Sequence, residues 1–248
     1  VKIALIAVMY NEHDLLPWFI KHYQETGVDE FHLFDHNSPD PRGKEICSKH
    51  KNIIVHDFRT PNDLIDDDIL IRLKNQFYKE LLGFDWFMVV DLDEFLYHPK
   101  MRELLNGYSE RGITLPKVQG FWMAHESFPE MNGKQMYEVV VKGLPNSNLN
   151  KRAVFKACVD INYMHGAHNC RPSGRVKESP EADIKLLHMS WLGFDWAMKR
   201  SMAHAPRLSH NNIQHRWGHV PDLYDTPEKL ANCRKQYDIF IREGKPVL

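Results

Sequence analysis

Two runs of consecutive apolar residues constrain this chain more than any other feature. Residues 2–9 (Lys-Ile-Ala-Leu-Ile-Ala-Val-Met) and 86–90 (Trp-Phe-Met-Val-Val) show no polar alternation. Each predicts a strand buried on both faces, as in a mostly parallel sheet. Both runs end abruptly in polar residues, Tyr10-Asn11-Glu12-His13-Asp14 after the first and Asp91-Leu92-Asp93-Glu94 after the second. Leu15, Leu16, Trp18, Phe19 and Tyr23 follow the first run at helical spacing, with Asp14 as the expected N-cap, Pro17 in the first turn and Gly27 as the stop. Residues 30–35 predict a second strand, running into the turn formers His36-Asn37-Ser38-Pro39-Asp40-Pro41. Residues 52–58 predict a third strand and 66–82 a helix. Strands alternating with helices predict an α/β chain with right-handed crossovers and ligands at the carboxyl ends of its strands. The polar clusters at 10–14, 35–40 and 91–94 all fall at such ends, so they should meet along one edge of the sheet.

Beyond about residue 110 the periodicity is less regular. Residues 113–123, 136–142 and 153–159 are expected as strands, and 195–204 and 226–242 as helices. There is no internal repeat, low-complexity tract or linker, which predicts one domain over 1–248. The formal charge of −1 supplies no global field for nucleic acid or an acidic membrane surface, and nucleic acid is not an expected partner. Cys47, Cys158, Cys170 and Cys233 form no C-x-x-C pair, and there is no N-x-S/T acceptor, as in a reducing compartment. No apolar run approaches the roughly 20 residues that span a bilayer. A cytoplasmic location is therefore expected, with any peripheral membrane association made through regions outside this stretch. The start at Val1 lacks a signal-peptide pattern and reads as a trimmed stretch.

Asp91 and Asp93 are two residues apart, so on a strand both carboxylates would point the same way, roughly 7 Å apart. Like charges held together cost free energy unless a cation or donor network offsets them. Mg²⁺ or Mn²⁺ takes oxygen ligands and keeps positions for water and phosphate. Such a cation would neutralise a departing nucleoside diphosphate. The plainer alternative is a solvated acidic turn, since D-x-D is a common tripeptide.

Residues 85–96, Asp-Trp-Phe-Met-Val-Val-Asp-Leu-Asp-Glu-Phe-Leu, resemble the strand and D-x-D turn of glycosyltransferases with the GT-A fold, particularly family-2-like members acting on surface polysaccharides. Tyr10-Asn11-Glu12 is similar to that group's nucleotide-binding opening and Asp35-His36-Asn37-Ser38 to the acidic turn after its second strand. Lys74-Asn75 lies where members place donor-touching residues. Asn150-Lys151, Gly166-Ala167-His168, Leu186-Leu187-His188, Trp191-Leu192-Gly193 and Arg207-Leu208-Ser209 extend the resemblance over most of 3–220. Met189-Ser190-Trp191 departs from the more usual Tyr-based sequence after the histidine.

The resemblance implies a GT-A-like (Rossmann-like), mixed, mostly parallel sheet flanked by helices. Its residues 1–110 would bind a nucleotide sugar and 111–248 the acceptor. It implies metal-dependent transfer of a sugar from a nucleoside-diphosphate sugar to a hydroxyl acceptor, a glycan, with inversion expected and retention left open by the sequence. Mn²⁺ or Mg²⁺ would be held by Asp91, Asp93 and His188. Tyr10, Asn11, Glu12, Asp35, Asn37, Lys74, Asn75 and Asp91 would contact the donor, and Glu126 or His168 would be the base.

Each residue has a structural alternative. Asn11, Asp35 and Asn37 suit turns, Lys74 a solvated helix face, and His188 a packed position after Leu186-Leu187. Trp122, Trp191, Trp196 and Trp217 read mostly as core, with one or two stacking on an acceptor sugar. His165-x-x-His168-x-Cys170 invites a zinc reading but lacks a downstream ligand pair. A nucleotidyltransferase is a rival enzyme, although 8–14 holds no glycine for a phosphate loop. A carbohydrate-binding domain with a degenerate site is the non-catalytic rival.

Overall fold

The computed structural model describes residues 1–130, 132–217 and 226–248. In chain order the strands are β1 (Ile3–Met9), β2 (Glu30–Asp35), β3 (Ile53–Asp57), β4 (Trp86–Val89), β5 (Glu94–Tyr97) and β6 (Val118–His125). They continue with β7 (Lys142–Pro145), β8 (Val154–Lys156), β9 (Val159–Asp160), β10 (Ser173–Gly174), β11 (Ile184–Leu192) and β12 (Lys245–Pro246). The helices are α1 (Leu16–Thr26), α2 (Arg42–Cys47), α3 (Asp67–Gln76) and α4 (Met101–Glu110), then α5 (Met136–Val139), α6 (Phe194–His204), α7 (His210–His215) and α8 (Pro227–Glu243).

The first sheet has the order β3-β2-β1-β4-β8. Its first four strands are mutually parallel and β8 runs antiparallel at the edge. This is the expected mixed, mostly parallel α/β sheet flanked by helices. β1 is buried on both faces: Ile3, Leu5, Ala7 and Met9 pack with Trp18, Phe19 and Tyr23 of α1, while Ala4 and Ile6 pack with Phe87 and Phe155. Chain order reverses between β2 and β4, which flank β1, so the crevice at the carboxyl ends of β1 and β4 is a topological switch point.

A second sheet, β12-β7-β6-β11-β5, pairs β6 and β11 in parallel and its other neighbours antiparallel. β9 and β10 form a separate two-stranded ribbon. The sheets join through the turn between β4 and β5. Buried Tyr23 fixes that junction, donating from Oη to the Glu94 carbonyl at 2.8 Å and accepting from the Leu96 N–H at 3.0 Å. No helix among the described residues is long and apolar enough to cross a membrane.

Several expected elements differ. Residues 136–142 are not one strand: a helical turn, Met136–Val139, comes first, and Gln135 N–H bonds Glu138 Oε2 at 2.5 Å across its start. The strand expected from 113 starts at Val118, because Pro116 offers no N–H and Thr114 and Leu115 bond the Lys177 carbonyl instead. Residues 153–159 break into β8 and β9. Asp14 does not cap α1. The amides of Leu15 and Leu16 bond the Glu12 carbonyl, and Asp14 sits 3.4 Å from His13. Asp66 does cap α3, accepting from Asp68 N–H at 3.1 Å and Ile69 N–H at 3.4 Å.

Candidate active site

Strand β4 stops at Val89, and residues 91–93 form a turn before β5. The expectation of two carboxylates side by side on a strand is therefore wrong: the chain reverses through them, and each meets different cations. Asp91 accepts from Lys74 Nζ of α3 at 2.7 Å and from Lys151 Nζ at 3.5 Å. Its side chain remains 41% exposed. Lys151 and Glu94, both buried, form a direct ion pair, and Glu94 Oε2 accepts the Asp91 N–H at 3.1 Å. Burial works to lower the Lys151 pKa, but Glu94 and Asp91 overcome it and hold the amine above its ordinary range.

Asp93 is only 6% exposed at its side chain. It accepts from Arg200 Nη1 of α6 at 2.5 Å and from His188 Nε2 of β11 at 3.1 Å. Burial alone would raise its pKa, yet Arg200 and His188 hold it well below the carboxylate range. His188 is raised in return: burial opposes its charge, and Asp93 more than offsets that. Arg200 also reaches Glu12 at the end of β1, with Nε 2.9 Å from Oε1 and Nη2 on the same oxygen. Burial raises the Glu12 pKa, Arg200 opposes the rise, and Asp93 adds to it. Four carboxylates (Glu12, Asp91, Asp93, Glu94) thus face three permanent cations and one imidazole. Such a buried set holds together only because every charge has a partner.

Beside Arg200 lies a cleft of about 230 Å³ between the exit of β1 and α6, lined by Tyr10, Asn11, Glu12, Trp196, Lys199 and His204 among others. The Arg207 guanidinium lies over the Tyr10 ring, 3.2 Å from its centroid. Asn11, at φ 52, ties the ends of β1 and β2 together: its N–H donates to Ser38 Oγ at 3.0 Å and its Oδ1 accepts from Asp40 N–H at 3.2 Å. Asp35 is buried with Oδ1 unpartnered, its Oδ2 3.2 Å from Lys44 Nζ. Asn37, at φ 55, donates to Asp63 at 2.6 Å. Both ends of the Asn75 amide are used on the backbone of Tyr163, at 3.0 and 2.7 Å, which docks the 163–168 segment on α3. These are turn and docking roles at the rim.

His168 Nδ1 lies 2.8 Å from the Asn148 carbonyl. That nitrogen therefore carries the proton, which leaves Nε2 as the acceptor. Burial lowers its pKa, Lys151 adds to this, and Glu94 and Asp91 oppose it, so it belongs to the Lys151 side of the cluster. Glu126 is exposed in the loop after β6 and shares no hydrogen bond or ion pair with the cluster. The zinc alternative fails. His165 bonds Asp68 at 2.7 Å and stacks on Trp217 while His168 faces Asn148, and among the described residues no three His, Cys, Asp or Glu side chains are grouped for a metal.

Sequence reasoning missed Arg200 and Glu94 as site residues and gave Lys151 no chemistry. A glutamate and a lysine buried against a D-x-D turn leave only a faint trace in spacing. Arg200 contacts a residue 188 positions away, beyond any local signal.

No protein-family model matches this chain, and no curated protein matches it either. Among solved structures it is similar to S. aureus TarS 1-349, at 11% identity and a TM-score of 0.49, over 98% of this chain and 82% of that one. The corresponding values for TarS 1-349 in complex with UDP are 13% identity, a TM-score of 0.48, and 98% and 73% coverage. For the complex with UDP-GlcNAc they are 12%, 0.44, and 98% and 81%. Likeness at this level carries no information on chemistry.

Proposed function

We propose that this chain is a metal-dependent glycosyltransferase, moving a sugar from a nucleoside-diphosphate sugar to a glycan hydroxyl. The observation that carries the reading is the meeting of Asp93 and His188, at 3.1 Å, beside Asp91 in the turn at the β1/β4 switch point. A hard divalent cation needs one or two carboxylates and fills its other positions with water and substrate phosphate. Asp93 and His188 converge here while Asp91 stands apart between its lysines. The chemistry of the donor set suits such a cation, which would have to draw the three side chains together. Asp93, His188 and Asp91 would hold Mn²⁺ or Mg²⁺, His188 exchanging its bond to Asp93 for one to the cation. The cation would supply Lewis-acid neutralisation of the diphosphate.

The remaining steps belong to the chain's own groups. Lys74 and Lys151 bring positive charge to the Asp91 side, where a diphosphate can share them. Arg200 fixes Asp93 and Glu12 in register, so the exits of β1 and β4 act as one rigid frame. Tyr10, Asn11 and Glu12 line the cleft on which the nucleoside would rest, with Asp35 and Asn37 in the adjoining exit of β2. His168, neutral at pH 7 with Nε2 free to accept, is a better base for an inverting displacement than Glu126, which has no tie to the cluster. Lys151, His188 and Arg200 come from 111–248, so the second half helps to build the donor site besides offering acceptor surface.

The test is release of nucleoside diphosphate from a panel of sugar nucleotides with Mn²⁺ and a glycan acceptor mixture. Turnover should need metal and vanish in Asp93→Asn. Metal-independent turnover, or an unaffected variant, rejects the reading.

A further inference from the structure

A second charged site lies at the opposite end of β4. There a cleft of about 460 Å³ is lined by Ser109, Thr114, Lys156, Arg175 and Lys177 among others, and no aspartate or glutamate lines it. Lys156 pairs with Trp86 in the sheet register, so the cleft lies on the order of 15 Å of strand from Asp91. It shares no residue with the site above.

One buried residue assembles the three cations. Thr114 is 7% exposed. Its carbonyl accepts from Lys156 N–H at 2.8 Å, and its N–H donates to the Lys177 carbonyl at 2.9 Å. Its hydroxyl donates to the Arg175 carbonyl at 2.7 Å and accepts from Lys177 N–H at 2.8 Å. Arg175 N–H reaches the Cys158 carbonyl at 3.2 Å, and Gly174, at φ 86, lets the strands approach so closely that a Cβ would lie 2.7 Å from that carbonyl. The backbones carrying Lys156, Arg175 and Lys177 are thus locked together around one hollow.

Among the described residues no carboxylate neutralises these cations. None of the three has an ion-pair partner among the described residues, and the Lys177 amine bonds only the Arg111 carbonyl, at 2.9 Å. Neighbouring acids are committed elsewhere, Glu178 to Arg152 at 2.7 Å and Asp160 to Lys79 at 2.9 Å. Three like charges carried on backbones locked around one cleft repel, and an anion bound among them would offset that repulsion. A tetrahedral oxyanion suits a guanidinium fork flanked by two ammonium groups.

We propose that the Lys156–Arg175–Lys177 cleft binds a phosphate group, either a lipid headgroup or a soluble phosphate-bearing chain. The proposal stands whether or not the chain is a transferase. It is tested by adding inorganic pyrophosphate to the ¹⁵N-labelled protein and following the amides of Thr114, Arg175 and Lys177. Co-sedimentation with phosphatidylglycerol-rich and with pure phosphatidylcholine vesicles runs in parallel. The comparison protein is K156Q/R175Q/K177Q, in which only exposed or half-exposed side chains change and whose melting temperature should match the parent. The parent's amides should shift saturably, with affinity at least about tenfold weaker in the variant. Retention by phosphatidylglycerol vesicles alone, lost in the variant, identifies a lipid headgroup. Pyrophosphate shifts without vesicle retention identify a soluble phosphate. Unmoved amides in the parent, or equal shifts in parent and variant, overturn the proposal.

Discussion

Asp91 and Asp93 stand in one short turn, yet they inhabit different environments. Asp91 faces outward between two lysines, Lys74 from the first half of the chain and Lys151 from the second, with 41% of its side chain exposed. Asp93 faces inward, 6% exposed, clamped by Arg200 and His188 from α6 and β11. The outer carboxylate can change partners at low cost because water stands in for whichever lysine leaves. The inner one changes partners at greater cost, because the carboxylate itself is cut off from water. On the proposed reading the difference is a division of labour: Asp93 would hold the frame, and Asp91 would exchange contacts when a diphosphate binds.

The sharpest way to break this comparison is to neutralise each carboxylate in turn. Asp93→Ala should cost about 3–5 kcal/mol of stability and all measurable turnover, since Arg200 and His188 lose their buried partner. Asp91→Ala should cost less, about 1–3 kcal/mol, because Lys151 keeps Glu94 and only the buried Lys74 loses its carboxylate, while turnover still collapses. Urea denaturation of both variants decides; equal losses of stability erase the distinction.

Arg200→Met comes next. It strands Glu12 and Asp93 together, and a loss of about 3 kcal/mol is expected on the same urea scale. A double variant with Glu12→Gln should recover part of that loss. Full additivity of the two changes would show that the bridge from β1 to the turn carries no coupling.

The pH dependence sharpens the contrast with a histidine away from the site. His22 is buried with Nε2 2.9 Å from the Leu96 carbonyl, and burial pushes its pKa down to about 4, against a modest pull upward from that bond. Its folded value lies below its unfolded one. The stability it permits is therefore complete above about pH 6.5 and falls as pH drops toward 4, by about 3 kcal/mol at most. His188 is raised, so its contribution is complete below about pH 6.5 and fades as pH climbs through its folded value. His188→Gln should thus destabilise more at pH 6 than at pH 9, and His22→Gln should flatten the acid limb instead. Melting curves across pH distinguish the two; parallel curves would refute the assignment.

Lys74→Met should have the smallest effect on folding, under about 1 kcal/mol, because its partner is half-exposed. It should weaken nucleotide-diphosphate binding without abolishing it, a change that titration calorimetry reads directly.

The first sheet was legible because its strands are continuous apolar runs of the right length. Ile3–Met9 and Trp86–Val89 admit no other reading, and the polar residues beyond them lie at the switch point as topology requires. The expected cap at Asp14 was wrong, since the helix is already engaged through the Glu12 carbonyl, and Asp66, expected within the helix at 66–82, proves to be its cap. The second sheet resisted because its pairings are long-range: β11 places His188 opposite both Glu94 of β5 and Trp122 of β6, and a proline and a short helical turn interrupt its expected strands. Within the site, Asp91, Asp93 and His188 showed through resemblance. Arg200 and Glu94 did not, because burial of a charge is a tertiary fact.

The most direct test of the central claim is calorimetric titration of UDP, GDP, CMP and dTDP into the protein, each with and without Mn²⁺, repeated on Asp93→Asn. The account predicts that one nucleoside diphosphate binds only when Mn²⁺ is present and that the variant binds none. If no nucleotide binds and Mn²⁺ itself produces no heat, or if the variant binds as the parent does, the transferase reading is contradicted.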